Sequence, residues 1–265
     1  MLLPVRQLNY YITGIVIIIN LIILAAGKGT RLGKLTENVP KPLLPLRDGN
    51  TILDKHLASA AKVGCFKKIY LVTGYNADAF DRYLQGHAGA NKLETIFNPQ
   101  YDSYGPLVSL WTARQKMLEE DFVIVNGDTI YRHTVFEKLN LAGTDNIILA
   151  ISNKDNIEKD DMKVVLDREN HVVTVSKVND DAGLVSAGAA LVAGAKSRRI
   201  FVDKLNQVIN EDGPLARKGF WHEIFNLLVG DSEQVNSTLI GLDQWKEIDT
   251  IEDLNNTAFC QVLMD

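Results

Sequence analysis

The residues best suited to chemistry lie between Leu21 and Leu46, in the run LIILAAGKGTRLGKLTENVPKPLLPL. An apolar stretch gives way to Ala25-Ala26-Gly27-Lys28-Gly29-Thr30-Arg31, and Pro40-Lys41-Pro42 follows. Glycines let a backbone approach an anion, free N–H groups at a strand end point toward it, and Lys or Arg neutralises it. This stretch therefore has the make-up of a polyphosphate loop. Its spacing differs from two commoner ones. Gly33 comes one position late for G-x-G-x-x-G, and no G-x-x-x-x-G-K-[ST] run is present.

Two further places carry acids. Phe122-Val-Ile-Val-Asn-Gly-Asp128 is an apolar strand ending in Gly-Asp, which sets a carboxylate at a sheet rim. A plain turn aspartate after a strand has the same local signature. In Trp245-Lys-Glu247-Ile-Asp249, alternate side chains of an extended segment put Glu247 and Asp249 on one side. Thr250, Glu252 and Asp253 read as a helix start, a cap followed by acids that suit the helix dipole.

Taken together, L-A-A-G-x-G-T-R-L, the later P-K-P and the closing E-I-D-T-x-E-D-L resemble the signature of the nucleotidyltransferases that activate sugar phosphates and phosphocholine. The resemblance runs from about Val16 to Leu254 and is specific at those three motif regions. It implies a Rossmann-like three-layer α/β/α sandwich with a mostly parallel mixed sheet, as in nucleotide-diphospho-sugar transferases. It also implies a Mg2+-dependent reaction in which a phosphate oxygen attacks the α-phosphorus of a nucleoside triphosphate and pyrophosphate leaves. Both reactants are anions, so positioning and charge stabilisation matter more than covalent chemistry.

By the same resemblance, Leu24, Ala25, Ala26, Gly27, Gly29 and Thr30 border the nucleotide. Arg31 contacts the triphosphate and Lys41 the α-phosphate. Asp128 and Asp249 hold magnesium, which favours a few carboxylates with phosphate oxygens and water. Lys177, in Val-Ser-Lys at a strand end, matches a lysine on the acceptor phosphate; an exposed strand-end lysine is the plain alternative. The acceptor oxygen is already ionised at neutral pH, so no general base is needed. No Ser/His/Asp or Cys/His set suggests covalent catalysis. His222 reads as structural.

Asn98-Pro-x-Tyr101 and Ser109-Leu-Trp111-x-Ala-Arg114 resemble the choline-phosphate branch more than the hexose-phosphate branch, whose glycine-rich loop is absent. Gly105-Pro106 stands where that branch carries an Asn-Asn pair. Tyr131, Trp221, Glu223 and Trp245, with Glu247 beside the metal acids, suggest an aromatic and acidic acceptor pocket for a cationic head group. The expected substrates are CTP and a small phosphate monoester or phosphonate. A sugar-1-phosphate enzyme using UTP or dTTP is the alternative within the class. A non-catalytic nucleotide-sensing domain is the alternative outside it.

These residues need elements to position them. Strands are expected at Ile15–Leu24, Ile69–Val72, Leu93–Phe97, Phe122–Val125, Ile147–Ile151, Lys163–Leu166, His171–Val178 and Gln234–Leu239, with Ser186–Val192 small and apolar. Helices are expected from Ile52 to a stop at Gly64, and at Ala77–Leu84, Val108–Leu118, Phe201–Asn210, Phe220–Val229 and Ile251–Gln261. Their alternation in the first half predicts a parallel sheet wrapped on both faces, with ligands beyond the strands' carboxyl ends. Residues 1–14 are expected to be a leader of unknown structure without a family counterpart, and 15–265 to form one domain.

Composition sets outer bounds. Of 265 residues, 46% are hydrophobic and 23% charged, as in ordinary globular proteins. A net charge of −5 argues against a nucleic-acid surface. The apolar run from Tyr11 to Ala26 is too short for a comfortable membrane span and feeds straight into the glycine loop. Cys65 and Cys260 form no metal or disulfide pattern, which fits a reducing, cytoplasmic setting.

Overall fold

Strand β1 (Ile19–Leu24) is apolar at all but one position and almost wholly buried, because strands flank it on both edges and helices cover both faces. A computed structural model describes residues 18–86, 92–140, 145–178 and 183–256. The expected leader, positions 15–17 of the expected first strand and Cys260 lie outside them.

On one edge β1 pairs in parallel with β2 (Phe66–Thr73), which pairs in parallel with β3 (Leu93–Phe97). On the other it pairs in parallel with β4 (Phe122–Asn126). Beyond β4 the direction changes. β9 (Leu184–Ala193) is antiparallel to β4 and to β6 (Asn146–Asn153), and β10 (Asn236–Leu239) runs parallel to β6. The hairpin β7 (Lys163–Leu166) and β8 (Val172–Ser176) joins β9 through β7. The sheet order β10-β6-β9-β4-β1-β2-β3 is the mostly parallel mixed sheet expected from the resemblance.

Alternation along β1 sends successive side chains to opposite faces. Ile22 joins a core that includes Leu107, Leu110, Phe201, Trp221 and Phe225, from helices α3 (Pro106–Thr112), α6 (Ala195–Glu211) and α8 (Glu223–Gly230) and the turn before α8. Leu21 and Ile23 join a second core with Leu53, Phe80 and Phe136, from α1 (Ile52–Val63), α2 (Ala77–Gln85) and α5 (His133–Asn140). Helix α1 opens with a Thr51/Asp54 capping box, and it stops where its sequence predicts, at Gly64 in the left-handed region, φ 73°.

Some expected elements differ. Val108–Leu118 is two helices, α3 and α4 (Arg114–Glu119), broken at Ala113, where ψ is 3°. Phe220–Val229 begins as a turn, and only Glu223–Gly230 is helical; a short α7 (Pro214–Lys218) precedes it and stops at the extended Gly219. The last helix, α9 (Ile251–Asn255), ends because Asn256 is extended, ψ 102°. The rest of its expected span lies outside the described residues.

A two-stranded ribbon went unforeseen. β5 (Thr129–Tyr131) pairs antiparallel with β11 (Trp245–Glu247), and Ile248 N–H donates to Asp128 C=O at 2.9 Å. Beneath it a third apolar cluster gathers Leu32, Leu44, Leu46, Ile52, Ile130, Ile248 and Leu254. This cluster binds the glycine loop, the Pro-Lys-Pro turn and the carboxyl-terminal acids into one body. Among the described residues, no helix is long and apolar enough to cross a membrane.

Candidate active site

At the end of β1, Ala25 N–H still donates to Val72 C=O at 2.8 Å, and Ala26 C=O still accepts from Tyr75 at 3.1 Å. The chain then leaves the sheet. Among the described residues, the N–H groups of Gly27, Lys28 and Gly29 have no acceptor. Gly29 adopts φ 63°, and a Cβ there would stand 3.0 Å from Lys41 Cβ. Only glycine combines that backbone with so close a neighbour. The following 3-10 turn, Thr30–Thr36, is fastened by the Thr36 hydroxyl, which lies 3.0 Å from Gly29 C=O and 3.1 Å from Gly33 C=O. The loop is thus a backbone concavity with free donors, the geometry an anion requires.

Gly127 brings the acid. Its N–H donates to Leu24 C=O at 2.9 Å, and a Cβ there would lie 2.5 Å from the same oxygen. That contact sets Asp128 beside the loop. The β5–β11 ribbon delivers Glu247 and Asp249 to the same point. One carboxylate oxygen from each of Asp128, Glu247 and Asp249 lies within 4.8 Å of the others.

Two cations meet these acids. Lys41 is only 7% exposed. Its Nζ stands 3.0 Å from Asp128 Oδ2 and 2.5 Å from Asp249 Oδ1. Arg31, largely exposed, donates to Asp249 Oδ2 at 2.6 Å and also pairs with Asp160. Burial works to lower the Lys41 pKa, but Asp128 and Asp249 outweigh it and hold it above the ordinary lysine value. Burial, together with the charges of Asp128 and Asp249, raises the Glu247 carboxyl to about 8. Asp253 anchors the segment from behind: its Oδ2 accepts from Asp249 N–H at 3.1 Å and from Thr250 N–H at 2.9 Å, completing the cap expected from sequence.

A cavity of about 330 Å³ opens next to this cluster. Leu24, Ala25, Ala26, Gly27, Gly29, Lys41, Asp128 and Glu247 line one side. Tyr101, Tyr104, Pro106 and Ser109 line another, and Asn126, Phe220, Trp221 and His222 a third. The two halves flagged in Asn98-Pro-x-Tyr101 and Ser109-Leu-Trp111 meet there: Asn98 Nδ2 donates to Ser109 Oγ at 3.0 Å. Trp221 Nε1 donates to Asn126 Oδ1 at 2.8 Å, which fixes the indole. His222 stacks on that indole with ring centroids 3.9 Å apart, and burial, helped by the Lys177 charge, lowers its pKa to about 3. It is a neutral, packed residue, as its setting in the sequence suggests. Lys177 Nζ lies 4.0 Å over the Phe220 ring and 3.8 Å from Asp160 Oδ1.

Thr30 and Arg31 face solvent at the start of the 3-10 turn rather than the cavity wall. The aromatic acceptor pocket is corrected in three places. Tyr131 is fully buried, and its hydroxyl lies 2.8 Å from both the Ala187 and Gly188 carbonyls, so its polar end is committed to the core. Trp245 is buried in that same core. Glu223 accepts the Phe220 N–H at 2.8 Å in the first turn of α8 and does not line the cavity. Glu247 belongs to the acid cluster as much as to the cavity. Sequence reasoning missed Asp160, which touches both Arg31 and Lys177. Its run, Glu158-Lys-Asp-Asp, looks like any solvated acidic loop. It also missed Asn126, whose place directly before Gly127-Asp128 was the available signal.

Comparison with known proteins shows the family and the fold. The chain is 29% identical over 222 residues to the bifunctional protein GlmU of Methanococcus maripaludis, covering 77% of this chain and 50% of that protein. It is 30% identical over 112 residues to the choline-phosphate cytidylyltransferase of Streptococcus pneumoniae, covering 42% of this chain and 46% of that one. The chain thus spans about half the length of these curated relatives. In fold, it resembles the inositol-1-phosphate CTP transferase of T. maritima with a TM-score of 0.77, at 20% identity, over 94% of this chain and 96% of that one. Residues 21–159, more than half of the chain, match the family described as the MobA-like NTP transferase domain, and the chain belongs to that family.

Proposed function

We propose that this protein joins CTP to a small phosphorylated or phosphonylated acceptor and releases pyrophosphate, with Mg2+ as its cofactor. The observation that carries this reading is Lys41, buried between Asp128 and Asp249 at the mouth of a glycine loop with free N–H donors. Two relatives support the choice of base by their names, one a cytidylyltransferase for choline phosphate and one a CTP transferase for inositol 1-phosphate.

The loop from Leu24 to Thr30 cradles the nucleotide. Arg31 neutralises the leaving pyrophosphate, and Lys41 neutralises the α-phosphate. Lys177 draws in the acceptor's phosphate, steadied by the Phe220 ring beneath its ammonium. An acceptor oxygen, already ionised, attacks the α-phosphorus in line with the departing pyrophosphate, so these residues orient and screen charge without moving a proton. Asp128 and Asp249, with Glu247 alongside, offer hard oxygen donors close enough together to share one magnesium ion. When bound, that ion would screen the triphosphate and polarise it toward attack.

The test is a pyrophosphate-release assay with CTP, UTP, dTTP and ATP, each against choline phosphate, simple phosphonates and hexose 1-phosphates, with and without Mg2+. Turnover with CTP and a non-sugar monoester is expected. Turnover confined to hexose 1-phosphates with UTP or dTTP would overturn the choice of substrates. Nucleotide binding without turnover for any pair would favour a sensor.

A further inference from the structure

Lys41 occupies a singular position. Its ammonium contacts one oxygen each of Asp128 and Asp249, two of the three acids able to hold a cation. A magnesium ion draws its oxygen ligands to about 2.1 Å. An ammonium 2.5–3.0 Å from one oxygen of each of these two acids occupies part of their coordinating surface and repels an incoming cation. The two cations therefore compete for the same pair of carboxylates.

We propose that Lys41 is an internal stand-in for the divalent ion: it neutralises Asp128 and Asp249 in the nucleotide-free protein and is displaced toward the nucleotide phosphates when the ion binds. The inference rests on the reading of those two acids as the metal ligands. The chain around Lys41 suits such an exchange. Its backbone sits in a short turn between Pro40 and Pro42, closed by Leu43 N–H to Pro40 C=O at 2.8 Å and Leu44 N–H to Lys41 C=O at 3.0 Å. Its Cβ is wedged against Gly29 of the phosphate loop. Beyond the fixed backbone and Cβ, the four-carbon stem supplies the rotatable bonds that would carry the ammonium from the acids to the loop. The root of the side chain already lies beside the loop where phosphate would bind.

The energetic consequence is coupling. Metal binding without nucleotide strips a buried ammonium of both counter-ions, which is costly. A bound triphosphate supplies a new counter-ion for the same ammonium. Metal and nucleotide therefore strengthen each other's binding by equal factors, as linkage requires. Arg31 also touches Asp249, but it is largely exposed, and water takes over its charge with little loss.

The experiment titrates Mn2+ into nucleotide-free protein and counts free Mn2+ by electron paramagnetic resonance. Wild type is compared with Lys41→Met, and each with its Asp128→Asn and Asp249→Asn counterparts; circular dichroism verifies folding. Lys41→Gln replaces the methionine variant if the latter does not fold. Removing the stand-in should tighten Mn2+ binding by about tenfold or more, the scale of one close charge repulsion. With the analogue's own Mn2+ chelation subtracted by a protein-free control, a non-hydrolysable CTP analogue should tighten Mn2+ binding by a larger factor in wild type than in Lys41→Met. Equal or weaker Mn2+ binding in the lysine variant, with binding still lost in Asp128→Asn, would overturn the stand-in and leave the metal ligands standing. Mn2+ binding indifferent to both aspartates would overturn the stand-in together with the metal site.

Discussion

Lys41 and Asp249, 208 positions apart in the chain, meet at 2.5 Å. The contact joins the first motif region to the last, and the apolar cluster beneath it, from Leu32 to Leu254, holds both in register. A glycine-lined anion loop, a buried cation and paired acids thus stand together at the carboxyl ends of β1 and β4, where ligands of open α/β sheets bind.

Lys41→Ala should lower the rate of pyrophosphate release on the order of 10²-fold or more, as for loss of one preorganised charge-stabilising group. Steady-state kinetics on protein of native circular dichroism measures it. An unchanged rate would reduce the lysine to a structural bridge.

Tyr131→Phe tests whether the tyrosine hydroxyl serves the core or the acceptor. Its hydroxyl serves buried carbonyls, so its loss should cost about 1 kcal/mol of stability and leave the KM for the acceptor unchanged. Urea unfolding and acceptor titrations read the two quantities. A raised KM with unchanged stability would return Tyr131 to the acceptor.

His56 and His222 make a pH prediction. Burial lowers their pKa values to about 4 and about 3, against 6.5 in an unfolded chain. Between those limits the unfolded state binds the extra protons, so stability rises with pH there and is lost as pH falls below 6.5. Each histidine contributes a slope approaching about 1.4 kcal/mol per pH unit in the window from 6.5 to about 4. Urea unfolding at pH 7, 6 and 5 for wild type and His56→Leu isolates one of them, since the other groups cancel in the difference. Parallel curves would contradict the assignment.

Much of this was legible in sequence, because long apolar runs and glycine turns act locally. β3 and β7 fall where their residues predict, and the stop at Gly64 follows from the left-handed backbone only glycine takes easily. The three motif regions could be recognised by their resemblance to one family, and because glycines and basic residues suit an anion while the closing acids suit a cation. The β5–β11 ribbon was not legible: three residues per strand give too little alternation to read, and their pairing is set by Ile130 and Ile248 packing into a distant cluster. Tyr131 was misread for the same reason. Three residues after Asp128, it turns inward once the ribbon forms. The late start of α8 follows the extended Gly219, whose C=O accepts from Leu107 N–H of α3 at 3.2 Å, a long-range contact that local periodicity does not show. Asp160 depends on the fold of an acidic loop whose composition points only to solvent.

The most direct test of the whole account is Mg2+-dependent pyrophosphate release from CTP by Asp128→Asn, Asp249→Asn and the double variant, each verified as folded. Two carboxylates sharing one ion act as a unit, so each single change should abolish turnover and the double should be no worse than either. Near-normal turnover in either single variant would contradict the shared metal site on which the proposed reaction depends.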